Sequence, residues 1–318
     1  MDSSNSKTVI NTLKAVSDEV RLRILNILLN GTLNVNEVQE VLKMGQSRVS
    51  RHLKILENAD LIVSQREGTW IYYKLKESPT FGYGLLQYLF SCKNEIPYGE
   101  RDKSNTLNIL QKRQESSNRF FNQIGKNWEK IQNNVLNPEV YRDRILSLLP
   151  ETVKLSIDLG CGPGGLIPFL LTKSEKVIGV DVSQKMLTEA KSKFQEDPRV
   201  EIIESNIEHL PLSEEIANVA IASMVLHHVS NPLLVMNEVY RVLQSEGLLF
   251  IIELKKHNQE FMRDNFSDLW LGFQESTLTE WLKTAGFSVL DQIELNTFSI
   301  FQIIIIKAIK KGGQNVRK

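Results

Sequence analysis

LSIDLGCGPGGL, residues 155–166, decides how the second half of the chain is read. Leu155, Ile157 and Leu159 alternate as the apolar end of a strand, and Leu166, Ile167, Phe169 and Leu170 resume at helical spacing. Between them stand Gly160, Gly162, Gly164 and Gly165. A strand, a tight turn and a helix N-terminus in that order let backbone come close to a bound molecule, because glycine has no Cβ to obstruct it. The turn reads as a ligand cradle.

The spacing of Gly160, Gly162 and Gly165 also fits the dinucleotide fingerprint G-x-G-x-x-G, which alone is weak. Asp158 argues against it, since a carboxylate two residues ahead of the first glycine would stand beside a pyrophosphate and repel it. A ligand carrying an ammonium and a sulfonium but no phosphate is favoured there. DLGCGPG resembles the first motif of class I S-adenosylmethionine-dependent methyltransferases. About twenty residues on, VIGVDVS (177–183) is a second buried strand ending in Asp181, placed to accept hydrogen bonds from two ribose hydroxyls. The resemblance implies cofactor contacts from Asp158, Gly160, Cys161, Gly162, Gly164, Asp181 and Val182, and from Asn206, Ile207 and Ser223 beyond them. Related enzymes carry Asp where Asn206 stands; its side-chain oxygen can still accept a hydrogen bond from the adenine amino group.

The elements that follow fit a doubly wound α/β sheet. VEIIES is a third strand, ANVAIASMVLHHV a fourth and GLLFIIEL a fifth ending at Glu253; VLDQIEL and SIFQIIIIKAI form a closing antiparallel pair. Ser223, Met224, His227 and His228 fall just past the fourth strand, where open α/β sheets place ligands. Methyl transfer requires alignment, exclusion of water and a base if the acceptor arrives protonated. His227 and His228 are candidates for that base. His257 and Glu260, at i and i+3 if helical, are a candidate acid/base pair, with a surface salt bridge as the other reading.

The first ninety residues follow a different plan. Asp18 caps a helix with Val20, Ile24, Leu25 and Leu28 on one face; 34–42 and 46–58 make two more helices separated by a tight turn at Gly45. That is helix-turn-helix spacing. In QSRVSRHLKILENA the inward positions are Val49, Leu53 and Leu56. The other face presents Gln46, Ser47, Arg48, Ser50, Arg51, His52 and Lys54, residues that can pair with base edges and hold phosphates. LIVSQREGTWIYYKL adds a hairpin whose turn at Glu67-Gly68 puts Arg66 and Thr69 near its tip, completing a winged helix.

DEVRLRIL, SRVSRHLKILENADLI and REGTWIYYKL resemble the ArsR/SmtB family of bacterial repressors over residues 7–93. The resemblance implies a homodimer, built through the first and last helices, on a palindromic double-stranded DNA operator. The apolar helix GYGLLQYLFSC (82–92) fits that role. Many members sense thiophilic metals with paired cysteines at the start of the third helix; here Leu33, Asn34, Val35 and Asn36 stand there, so no metal is expected.

Residues 94–106, charged and holding Pro97 and Gly99, read as a linker. Residues 107–150 read as a helical lead-in resembling those of methyltransferase domains attached to ArsR-type modules, with Phe121 and Trp128 as candidate pocket residues or plain core. The sheet domain spans 151–309, and 310–318 is expected to be a disordered tail. The 318 residues carry no net charge and two cysteines, Cys92 and Cys161. Any DNA contact must therefore come from a local patch, and a reducing, cytoplasmic setting fits. No apolar run approaches the ~20 residues that span a bilayer.

Two functional readings stand. Either the sheet domain is a sensor whose S-adenosylmethionine or S-adenosylhomocysteine shifts the winged helices between DNA-competent and incompetent states, or it methylates a small molecule and the winged helix provides self-regulation.

Overall fold

The computed structural model describes residues 3–67, 70–76, 81–91, 95–124, 138–297 and 299–311. It divides into two units, Met1–Gln114 and Glu115–Lys318.

In the first unit, α1 (Ser3–Val16) and α2 (Glu19–Leu28) precede a two-residue strand β1 (Leu33–Asn34). α3 (Val35–Leu42), α4 (Gln46–Asn58), the strands β2 (Ile62–Glu67) and β3 (Trp70–Leu75), and α5 (Phe81–Ser91) follow. The Asp18 cap is the one read from the sequence. Asp18 accepts the Arg21 N–H at 3.0 Å, and Asn34 and Glu37 close a reciprocal capping box on α3. β2 and β3 form the antiparallel hairpin, and β1 adds to β3. Val49, Leu53 and Leu56 of α4 are fully buried with Ile24, Leu33 and Val38, each such side chain contributing about 1.5–3 kcal/mol.

The expected linker differs. A helix α6 (Gly99–Ile124) begins inside it, and the unit boundary falls later, after Gln114. The buried stripe of its first turns is Asp102, Thr106 and Ile109, at helical spacing but mostly polar, so a search for apolar periodicity passes over it. Asp102 accepts both Nε (2.6 Å) and Nη2 (3.0 Å) of the buried Arg23 of α2, and Arg113 pairs with Glu37. These ion pairs take the place of an apolar face.

The second unit is built on a seven-stranded sheet in the order β6-β5-β4-β7-β8-β10-β9, with strands β4 (Val153–Leu159), β5 (Ser174–Asp181), β6 (Val200–Glu204), β7 (Ala217–Ser223), β8 (Leu243–Leu254), β9 (Phe287–Asn296) and β10 (Gln302–Lys310). The first five are parallel; β10 runs antiparallel to both β8 and β9. The chain winds outward from β4 to β6, then returns to β7 on the other side. The switch point, where such sheets bind ligands, is thus at the carboxyl ends of β4 and β7. Helices α7 (Glu139–Leu148), α8 (Ile167–Leu170), α9 (Gln184–Phe194), α10 (Pro232–Val242), α11 (Phe261–Phe266) and α12 (Glu275–Thr284) complete the unit. Ile157, Val177, Ile221, Phe250 and Ile305 form the centre of its core.

The tail also begins later than expected. Lys310 ends β10 and is buried, its ammonium donating to the Leu243 carbonyl at 2.7 Å and to Glu215 at 3.1 Å.

Candidate cofactor cradle and nucleic-acid interface

The glycine turn leaves β4 with Gly160, Gly162 and Gly164 all at positive φ (69°, 53° and 79°), a region that L side chains avoid. A Cβ on Gly160 would also stand 2.3 Å from Val225 Cγ2, and one on Gly164 2.5 Å from the Phe194 ring. These glycines are therefore needed for the path of the turn against its own fold. The turn is tied to β5: the N–H groups of Gly160 and Cys161 both donate to the Val180 carbonyl (2.7 and 2.9 Å), and that of Gly162 donates to Asp181 Oδ2 (2.9 Å). Asp181 Oδ1 accepts the Ser183 N–H at 2.8 Å. Asp181 thus fixes the cradle. Cys161 is buried, and burial pushes its thiol pKa well up, so it is an inert neutral filler here.

Asp158 is 2% exposed, and its Oδ2 has no hydrogen-bond partner. Burial first, then the neighbouring Asp181 carboxylate, push its pKa up to about 7 against the pull of Arg142. A buried carboxylate oxygen without a donor, beside a glycine turn, is a receptor for a cationic or donor group.

Around the turn stand elements whose role the sequence reading left general. Tyr141 and Arg142 lie on α7. Tyr141 is buried and hydrogen-bonded to Ser223, and burial raises its hydroxyl pKa to about 12. Arg142 lies over the Phe169 ring at 5.2 Å, and its Nη2 would be 2.7 Å from a Cβ on Gly165. The end of α6 contributes Asn122, whose Oδ1 accepts the Ser183 hydroxyl at 2.9 Å and the Lys185 N–H at 3.3 Å, so it helps cap α9. Phe121 packs edge-on against His228 with ring centroids 4.8 Å apart. Trp128 lies outside the described residues.

Asn206 is committed locally: its Oδ1 accepts the Glu208 N–H at 2.9 Å and its Nδ2 donates to Glu208 Oε2 at 3.2 Å. Ile207 beside it is buried, and Val182 is half-buried.

Past β7 the chain passes through Met224, at a positive φ of 53° that strains a side-chain-bearing residue, into a 3-10 turn, Leu226–His228. Glu253, at the end of β8 and fully buried, holds that turn. Its Oε1 accepts the N–H groups of Val225 (3.1 Å), Leu226 (2.7 Å) and His227 (3.4 Å), and its Oε2 lies 2.7 Å from His227 Nδ1. Burial disfavours the His227 cation, but Glu253 and Asp268 outweigh it and bring the pKa up to about 9. Burial lowers His228 well below the usual imidazole range. Glu253 was legible only as the last residue of a strand; Asp268 sat in a segment without periodicity.

His257 and Glu260 do not form the expected pair. His257 precedes α11 in an extended segment, its Nδ1 accepting the Gln259 N–H at 3.2 Å and its ring packed on Phe301, whereas Glu260 faces Arg263 at 3.3 Å. No helix runs from 257 to 260, so the i, i+3 geometry is missing.

On α4 of the first unit, Gln46, Ser47, Arg48, Arg51 and Lys54 are exposed and Ser50 half-exposed. Lys54 pairs with Glu57 at 2.9 Å. His52 turns away from the expected reading face: it is 13% exposed, with Nδ1 3.6 Å from Asp18, and burial lowers its pKa. Arg66 is exposed on the hairpin, while Thr69 lies outside the described residues.

The family model "Bacterial regulatory protein, arsR family" matches residues 18–64, and "Methyltransferase domain" matches 157–251. The arsenical resistance operon repressor of Bacillus subtilis is 39% identical over 80 residues, 25% of this chain and 74% of that protein. The ubiquinone/menaquinone biosynthesis C-methyltransferase UbiE of Campylobacter jejuni is 32% identical over 162 residues, 46% of this chain and 67% of that one. The chain belongs to the arsR family, fused to a methyltransferase domain.

An uncharacterized 37.1 kDa transposon protein of Streptomyces fradiae is 37% identical over 101 residues, but this arsR-family chain spans only 29% of its length. Among solved structures, a chain from the complex of the Haloferax volcanii Trm112 methyltransferase activator with a methyltransferase is 15% identical. It matches 60% of this chain and 98% of its own with a TM-score of 0.53, a likeness of fold alone.

Proposed function

We propose that this chain is a DNA-binding transcriptional regulator, working as a cytoplasmic homodimer on a palindromic operator, whose methyltransferase domain binds S-adenosylmethionine or S-adenosylhomocysteine and thereby alters DNA binding. The observation that carries the ligand is the orphaned Asp158 carboxylate beneath a turn of positive-φ glycines that Asp181 anchors at the sheet switch point. A buried carboxylate suits a ligand with an ammonium and a sulfonium, and Asp181 retains lone pairs for ribose hydroxyls. The DNA reading rests on the exposed Gln46, Ser47, Arg48 and Arg51 at the start of a helix whose other face is core. The dimer reading is supported by exposed apolar residues on α1 (Ile10, Leu13) and α5 (Phe81, Tyr88).

A second reading, methylation of a small molecule, is favoured by the His227–Glu253 pair at the carboxyl end of β7. Bound S-adenosylmethionine supplies an electrophilic methyl group. Glu253 would hold the His227 ring in place with its Nδ1 proton, and Nε2, which keeps its own proton up to about pH 9, would accept one from an acceptor only above that pH. Asp158 and Asp181 would orient the cofactor while α7 keeps water out.

Arg51→Ala is expected to weaken DNA binding by about 1–3 kcal/mol while S-adenosylhomocysteine affinity, read by calorimetry on the same protein, stays unchanged. Unchanged DNA affinity would remove α4 as the reading helix. Absence of calorimetric heat with both cofactors in the wild-type protein would remove the ligand.

A further inference from the structure

Beside the cradle, three buried side chains converge. His227 Nε2 lies 3.9 Å from Asp268 Oδ1, and His228 Nδ1 lies 3.8 Å from the same oxygen. One ligand atom from each of the three residues falls within 4.8 Å of the others. These gaps are too long for hydrogen bonds. Two ligands at about 2.1 Å from one ion stand roughly 3.4 Å apart in a tetrahedron and about 4.2 Å apart when opposite. The two histidine-to-Asp268 distances lie between those limits.

Asp268 is 4% exposed, yet neither of its carboxylate oxygens has a hydrogen-bond partner; His228 Nε2, also buried, has none. Leaving such groups unpaired is costly. His227 Nδ1 meets Glu253 at 2.7 Å, which turns its Nε2 to the site, whereas His228 Nδ1, the atom that faces Asp268, has only a long 3.4 Å contact with the Ser267 carbonyl. A carboxylate on one ring nitrogen of His227, with the other turned to the site, is how metal-binding histidines are held. Ser267 reaches its place at a positive φ of 61°, directly before Asp268.

We infer that His227, His228 and Asp268 form a binding site for a first-row divalent metal ion such as Zn²⁺, with Glu253 orienting His227. Two imidazoles and one carboxylate are a donor set for that class of ion. The expectation of no metal came from counting thiols in the winged helix. This site uses none, and it lies in the other unit.

The test is titration of the full-length, chelator-treated protein with Co²⁺ as a spectroscopic probe, followed by competition with Zn²⁺. One equivalent of Co²⁺ producing visible d–d bands, displaced by one equivalent of Zn²⁺, is expected. Asp268→Asn and His228→Gln should each weaken Co²⁺ binding at least tenfold, while His209→Gln, at an exposed histidine, should not change it. Zn²⁺ should also raise the melting temperature of the wild-type second unit and leave that of Asp268→Asn unmoved. Absence of stoichiometric bands in the wild-type protein, or bands that persist in both site variants, would overturn the assignment. Should Asp268→Asn fail to fold, the wild-type titration and His228→Gln decide it.

Discussion

Replacing Asp158 with asparagine is expected to stabilise the ligand-free second unit near neutral pH while costing it cofactor affinity. The carboxyl is buried with one oxygen unpaired, and its pKa in the folded protein is raised to about 7, chiefly by burial and then by Asp181. An acid with a raised folded pKa favours the fold while both states hold the proton, below about pH 4. It loses that contribution as pH rises through 7. Ionisation at pH 7.5 therefore costs the apo fold up to about 4 kcal/mol, from which the unpaired amide donors of asparagine subtract a part. His228 and His257 act in the opposite direction at acid pH, because burial lowers both. The informative quantity is hence the difference between wild type and variant. Asp158→Asn should melt higher at pH 7.5 and indistinguishably at pH 4, and it should bind S-adenosylmethionine roughly 10- to 100-fold more weakly, the worth of a charged hydrogen bond. Equal melting at pH 7.5 would mean that the carboxylate is not held at a cost to the fold.

The second large effect lies in the winged-helix unit. Asp102→Ala is expected to destabilise that unit by about 3–5 kcal/mol, because it strands the Arg23 guanidinium in the interior. Arg23 and Asp102 have side chains 7% and 0% exposed and share two hydrogen bonds. The double change Arg23→Met with Asp102→Leu removes both charges together and should recover most of the loss. Urea unfolding of the three proteins measures this. A loss under about 1 kcal/mol for Asp102→Ala would place the pair in solvent.

These two carboxylates show where the sequence was legible and where it was not. Asp158 could be read because it stands beside four glycines whose spacing narrows the geometry, and the strands on either side have apolar patterns that mark them. Asp18 and Gly45 likewise announced a helix start and a turn, since caps and turns have local chemistry. Asp102 could not be read. Its partner lies 79 residues away, and a stripe of Asp102, Thr106 and Ile109 has one apolar member, too few to mark a buried face. His52 misled for the converse reason: alternation on α4 puts it outward, but Asp18 at the start of α2 covers it. Glu253 and Asp268 become significant only once β8 and the segment after it are brought against His227, a juxtaposition that topology creates and spacing does not record.

Fluorescence anisotropy on DNA from upstream of the chain's own gene, without ligand and with saturating S-adenosylmethionine or S-adenosylhomocysteine, tests the central claim most directly. A change in DNA affinity of about tenfold with one ligand, roughly 1.4 kcal/mol of coupling, is the predicted result. Equal affinity under all three conditions would contradict it and leave the methyltransferase domain to a substrate of its own.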